Sequence, residues 1–169
     1  DPRLRDEYVV VSAHLDHMGA GVPVNGDSIY NGAMDDASGV ASLIEIARAL
    51  KAAPPRRSVL FLAVTGEEKG LLGSRYFASH PSVPAGSIVA DLNLDMFLPI
   101  HSLRVLTVYG LGESSLGNDI QALAKTYGVS VQADPEPDRN ILIRSDQYSF
   151  IREGVPSLSF KFGFTPGSP

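Results

Sequence analysis

The chain contains no cysteine, which excludes disulfides, thiolate metal sites and cysteine nucleophiles together and leaves histidine and carboxylates as the metal donors. Its charge offers no strong lead: 19 acidic against 14 basic residues give a net charge of -5, with no basic tract. Nucleic acid and anionic membrane surfaces are therefore not expected partners. No apolar run approaches the roughly 20 residues needed to span a bilayer, and the opening segment Asp1 to Glu7 has no signal-peptide core. Internal repeats and low-complexity segments are also missing. What remains is a chain of 169 residues, 44% of them hydrophobic, enough for one sizeable core and too short for two ordinary domains. We read a single domain over residues 1–169, with both ends expected to be cuts in something longer.

Tyr8 to Ala13, Ser58 to Thr65 and Ile88 to Leu94 are continuous apolar or β-branched runs that suit strands buried on both faces. Leu103 to Tyr109 and Ser157 to Phe162 read as two further strands. Between the first two runs, Val40, Leu43, Ile44, Ala47 and Leu50 fall at helical spacing, with Asp36 or Ser38 as N-cap and Pro54-Pro55 as the stop. Shorter helices are expected over Leu71 to Ser79, Ser115 to Tyr127 and Ser145 to Glu153. Ala20 to Gly32 and Asp134 to Asn140 read as loops. The alternation implies an α/β layer fold with a largely parallel sheet, in which ligands bind at the carboxyl ends of the strands.

His14 and Asp16 follow the first strand, and such a pair can place one residue on a metal while the other orients it. A plain hydrogen-bonded His-Asp pair has the same spacing. Asp35 and Asp36 stand just before the first helix, where one carboxylate serves as a cap and the second has no evident structural duty. A carboxylate can also bridge two cations. Glu67 and Glu68 follow the second strand; they are either solvated charges at a helix start or a metal ligand beside a proton acceptor. Asp95 follows the third strand. Three successive strands ending in carboxylate or histidine form the donor set that divalent ions accept, and the pattern reads as metal-assisted hydrolysis. His17 is read as a solvated loop residue, His80 as a helix-end residue and His101 as a loop residue.

His14-Leu-Asp16, Met34-Asp-Asp-Ala-Ser-Gly39, Thr65-Gly-Glu-Glu68, Asn93-Leu-Asp-Met96 and Ser145-Asp-Gln-Tyr-Ser-Phe150 with Gly154-Val-Pro156 resemble the M28 family of zinc peptidases. That family includes bacterial leucyl-type aminopeptidases and glutamate carboxypeptidase II, and the motifs run in family order over nearly the whole chain. The resemblance implies a three-layer αβα zinc-exopeptidase fold with a mixed, largely parallel sheet, and a peptide substrate. It implies that Asp35 bridges two zinc ions, that His14 and Asp95 bind one and Glu68 the other, with Glu67 as general base and Asp16 as the partner of His14. It further implies a cis Asp35-Asp36 peptide, and marks Arg144 and Tyr148 as candidate substrate contacts. Export to the periplasm or medium follows from family habit. A last histidine ligand is expected beyond the strand Ser157 to Phe162; none follows before Pro169, so one ion or none is the expectation for this chain.

Aminopeptidase activity is the leading expectation. A carboxypeptidase or a glutaminyl-cyclase-like enzyme on the same fold is the rival within catalysis, and a receptor-like homologue without chemistry is the rival outside it.

Overall fold

The computed structural model describes residues 1–84, 86–97 and 101–164. The β-branched run at the start forms β1 (Tyr8–His14), and β4 (Ser58–Val64) and β5 (Ile88–Leu94) pair with it on either side, both in parallel. Beyond β5 lie β8 (Ser157–Phe162), β6 (Val105–Tyr109) and the short β7 (Ser130–Gln132), giving the order β4-β1-β5-β8-β6-β7. Only the β6–β8 pairing is antiparallel, so the sheet is mixed and mostly parallel.

Strand parity sorts side chains onto two unlike faces. One face carries Val11, Ala13, Leu92, Leu94, Leu158 and Phe160, which pack with Leu43 of α1 (Ser38–Ala52) and with Leu116 and Ile120 of α3 (Leu116–Thr126). The other carries Ser12, Asp91 and Asn93, buried beneath α4 (Gln147–Arg152), on which α2 (Leu72–Ser79) packs through Phe77 against Phe150. Helices thus cover both faces of the sheet. Among the described residues no helix is long and apolar enough to cross a membrane.

Two departures from the sequence reading have local causes. Ala20 to Gly32 is largely a hairpin rather than a loop, with β2 (Gly19–Val24) antiparallel to β3 (Asp27–Tyr30). Asn25 and Gly26 take φ of 53° and 86°, the positive values that a two-residue turn matched to strand twist requires. β7 is only three residues long and too short for periodicity to mark. The start of α1 lies against the end of β5 so closely that a Cβ at Gly39 would overlap the Leu94 carbonyl oxygen, which explains a glycine inside a helical turn.

Asp91 is fully buried in the middle of the sheet; its Oδ1 accepts from Ser12 Oγ at 2.8 Å, while Oδ2 has no partner. Burial holds its carboxyl well above the usual range, against the pull of the Ser12 hydroxyl and with help from Asp146. The folded chain keeps a proton that the unfolded chain releases near about pH 4, so this residue's contribution to stability falls as pH rises beyond that value. Asp91→Asn is expected to raise the unfolding temperature, by an amount that grows from about pH 5 to about pH 8. Thermal melts at the two pH values check this; a change that is the same at both would show that burial of charge is not the controlling cost.

Candidate metal centre

Because β4, β1 and β5 are parallel neighbours, their carboxyl ends open on one edge of the sheet. His14 is the last residue of β1, Glu67 and Glu68 lie just beyond β4, and Asp95 follows β5. Asp35 and Asp36 reach the same edge from an irregular turn, Ala33–Ala37, that leads into α1; their shared peptide bond is cis.

His14 is 1% exposed. Its Nδ1 lies 2.9 Å from the Asp16 carbonyl oxygen, which can only accept, so Nδ1 carries a proton and, in the neutral ring, Nε2 presents a lone pair. Nε2 stands 3.1 Å from Asp35 Oδ1 and 4.0 Å from Asp95 Oδ1. Asp95 is aimed by Ser145, whose Oγ donates to Oδ2 at 2.6 Å. Asn93 Nδ2 in turn donates to Ser145 Oγ and to Gln147 Oε1, and Ser12 Oγ reaches Asn93 Oδ1. A buried chain of polar side chains therefore runs from mid-sheet to one donor atom.

A second group forms on the other side of Asp35. His17 Nδ1 lies 3.9 Å from Asp35 Oδ2 and 2.8 Å from Glu68 Oε1. The reading of His17 as a solvated loop residue is thus corrected: its side chain is 22% exposed and faces two carboxylates. The irregular segment between β1 and β2 brings it to Asp35 and Glu68, for which its sequence gave no periodic signal. Asp16 meets the His14 ring through its carbonyl oxygen at 2.9 Å, with its Oδ1 3.7 Å from the same Nδ1, while its two carboxylate oxygens accept from the backbone N–H groups of Glu67 and Glu68 at 3.2 and 3.3 Å.

Asp36 has the structural duty that the sequence left unassigned. It is 2% exposed; Oδ2 accepts from the His14 N–H, and Oδ1 from the N–H groups of Gly39 and Met96. Burial raises its carboxyl to about 7 against these hydrogen bonds.

The donors fit a pair of divalent ions. Three ligand atoms in each group, His14-Asp35-Asp95 and His17-Asp35-Glu68, lie within 4.8 Å of one another. Tetrahedral zinc with bonds of about 2.0–2.1 Å sets ligand-to-ligand edges near about 3.3 Å, and the observed approaches bracket that figure. His14 Nε2, His17 Nδ1, Glu68 Oε1 and Asp95 Oδ1 are all buried without a hydrogen-bond partner, an arrangement that is costly unless a cation completes it.

The ligand cluster borders a cleft of about 240 Å³ lined by Asp35, Glu67, Glu68 and Asp95 on its acidic side and by Arg139, Arg144 and Lys161 among its other walls. Arg144 is therefore at the cleft, and Tyr148 is in α4 and not among its lining residues. Burial pushes the Glu67 carboxyl up to about 8; His14 opposes this, and Asp95, Asp146 and Glu68 add to it. His80 stacks on Tyr76 and His101 meets the edge of Phe162, so neither joins the donor groups.

An α/β fold with histidine-carboxylate groups at one sheet edge offers the donor set of a divalent-metal site. The chain matches Peptidase family M28 over residues 1–167 and belongs to that family. It is 33% identical over 158 residues to a probable leucine aminopeptidase 2 of Aspergillus oryzae, covering 90% of this chain and 30% of that protein. Among solved structures it is similar to BSAP, a zinc aminopeptidase from Bacillus subtilis, at 26% identity and a TM-score of 0.70, covering 95% of this chain and 37% of the other. A glutaminyl cyclase from Bacteroides thetaiotaomicron, bound to N-acetylhistamine, shares the fold at a TM-score of 0.70 and 20% identity, over 96% of this chain and 63% of the other. The chain thus spans about a third of the length of the first two relatives.

If Ser145 Oγ is what aims Asp95, its loss should be felt at the metal. Ser145→Ala is expected to weaken zinc binding by about 10–100-fold, the usual effect of removing a group that orients a ligand. Competition against a chromophoric chelator measures it, and an unchanged affinity would show that Asp95 needs no such support.

Proposed function

We propose that this chain forms the catalytic core of a zinc-dependent exopeptidase that removes N-terminal residues from peptides. The observation that carries this reading is Asp35, whose two oxygens face two separate donor groups while Glu67 borders the same cleft. When bound, a zinc pair supplies Lewis acidity and lowers the pKa of water into the neutral range. His14 and Asp95 would hold one ion, Glu68 would hold the other, and Asp35 would be shared.

Glu67 is the general base in this proposal. In its carboxylate form it accepts a proton from the attacking water and returns it to the leaving amine. Asp16 fixes the backbone of Glu67 and Glu68, so base and ligand keep one relative position through both transfers. The acidic wall of the cleft suits a free α-amino group, and Arg144 is placed to meet a carbonyl oxygen or a carboxylate. Export of the enzyme belongs to the same proposal and rests on family habit.

Arg139, Arg144 and Lys161 also favour a second reading, a carboxypeptidase that selects acidic substrates, since three cations along one cleft match a terminal or side-chain carboxylate. Aminoacyl-anilides, acidic dipeptides and N-terminal glutaminyl peptides, offered to this chain and to longer polypeptides containing it, separate the readings; turnover of the last alone would leave a cyclase. Glu67→Gln is expected to cut kcat by about 10²–10⁴-fold with zinc content unchanged. Activity equal to the parent would end the assignment of Glu67 as base.

A further inference from the structure

Asp91 lies outside the metal centre, yet a chain of hydrogen bonds joins it to Asp95, and the direction of that chain is fixed at a backbone carbonyl. Gln147 Nε2 donates to the Leu142 carbonyl oxygen at 2.7 Å, which can only accept, so Gln147 Oε1 is itself an acceptor. Asn93 therefore presents its NH2 group to Gln147 Oε1 at 2.9 Å and to Ser145 Oγ at 2.8 Å. Both of its hydrogens are then used. The Ser145 hydroxyl receives one of them and gives its own hydrogen to Asp95 Oδ2.

The same placement turns Asn93 Oδ1 toward Ser12 Oγ at 3.1 Å. An amide oxygen only accepts, so the single hydroxyl hydrogen of Ser12 goes to Asn93. Taken by itself, the 2.8 Å contact between Ser12 Oγ and Asp91 Oδ1 has the hydroxyl as donor; with that hydrogen directed to Asn93, the contact draws its hydrogen from Asp91. Two bare lone pairs at that distance would repel. The other carboxyl oxygen, Oδ2, is buried without a partner, and a hydrogen there would be an orphaned donor. On Oδ1 the hydrogen meets Ser12 and leaves only an unpaired acceptor, the less costly omission. Burial, with Asp146 adding to it, favours the same protonated form.

We infer that Asp91 is a positioning residue of the metal edge: as a neutral acid it donates from Oδ1 to Ser12 Oγ and heads a one-way chain, Ser12 to Asn93 to Ser145, that ends on Oδ2 of Asp95. Each bond in such a chain polarises the next. An ionised Asp91 would instead take the Ser12 hydrogen, leave Asn93 Oδ1 without a donor and loosen the amide from the orientation that Ser145 requires. Only the role of Asp95 as a metal ligand is taken from the metallopeptidase reading.

Carbon NMR of the metal-free chain, isotope-labelled at the aspartate carboxyl carbons, locates the proton. One resonance, missing from Asp91→Asn, should sit at the neutral-acid position at about pH 7. Found at the ionised position, it would overturn the inference. The reach of the chain is read in the Asp95 resonance and in zinc affinity measured against a chromophoric chelator. Asp91→Leu, similar in branching but without a donor, should displace the Asp95 resonance and weaken zinc binding by about 3–10-fold, the effect of one hydrogen bond. Asp91→Asn, whose amide can donate to Ser12, should leave both at the parent's values. Ser12→Ala breaks the chain one bond further on and should match Asp91→Leu, so the test stands even where a thermal melt shows the leucine variant unfolded. Parent values in the folded Asp91→Leu and Ser12→Ala variants, or an asparagine variant as weak as the leucine one, would overturn the positioning role. A parent that binds no zinc would refute the metallopeptidase reading, while the Asp91 and Asp95 resonances still decide the chain.

Discussion

One buried carboxylate holds the metal edge together. Asp36 accepts three backbone N–H groups, from the end of β1, the first turn of α1 and the residue after Asp95. Hydrogen bonds contribute roughly 0.5–1.5 kcal/mol each, and here they join three segments remote in sequence. Each carries a donor: His14, Asp35 and Asp95. The first-turn contact needs Gly39, because any side chain there would strike the Leu94 carbonyl. Asp35 and Asp36 thus divide the work of a tandem pair, one facing the cleft and the other fixing the scaffold from which it projects.

The polar face of the sheet extends this logic inward. Parity places Ser12, Asp91 and Asn93 on the side of α4, and the same parity continues to His14 on β1 and to Asp95 after β5. Burying so much polarity costs stability unless it is satisfied, and most of it is: Ser12 serves Asp91 and Asn93, while Asn93 serves Ser145 and Gln147. The opposite face is apolar and packs with α1 and α3. One side of the sheet therefore holds the chain together, and the other aims a ligand.

Much of this was legible in the sequence because it depends on local pattern. Long β-branched runs marked β1, β4 and β5, and an acidic or histidine residue at the end of a parallel strand has only one edge to occupy. The four main helices were legible from spacing and from their proline and glycine stops. The hairpin was overlooked although Asn25-Gly26 announces a tight turn, because β2 and β3 are exposed and lack the apolar alternation that marks a half-buried strand. The role of Asp36 was not legible, since its three partners are set by tertiary approach. Nor was His17 legible: whether the imidazole directly after Asp16 faces solvent or Glu68 is set by tertiary approach, which no short motif encodes. Arg139 and Lys161 reach the cleft from segments far apart in sequence, and only the fold brings them there.

The two donor groups differ in what makes them rigid. His14 sits in a strand, and Asp95 follows one directly, with Ser145 bracing its free oxygen; the sheet itself sets their separation. His17 and Glu68 lie on loops, and their common restraint is Asp16, which holds the His14 ring through its carbonyl and the Glu67-Glu68 backbone through its carboxylate. A ligand set placed by a sheet loses little freedom on binding a cation, whereas one placed by loops must order itself further. Asp16 touches both groups, and so couples the first to the second.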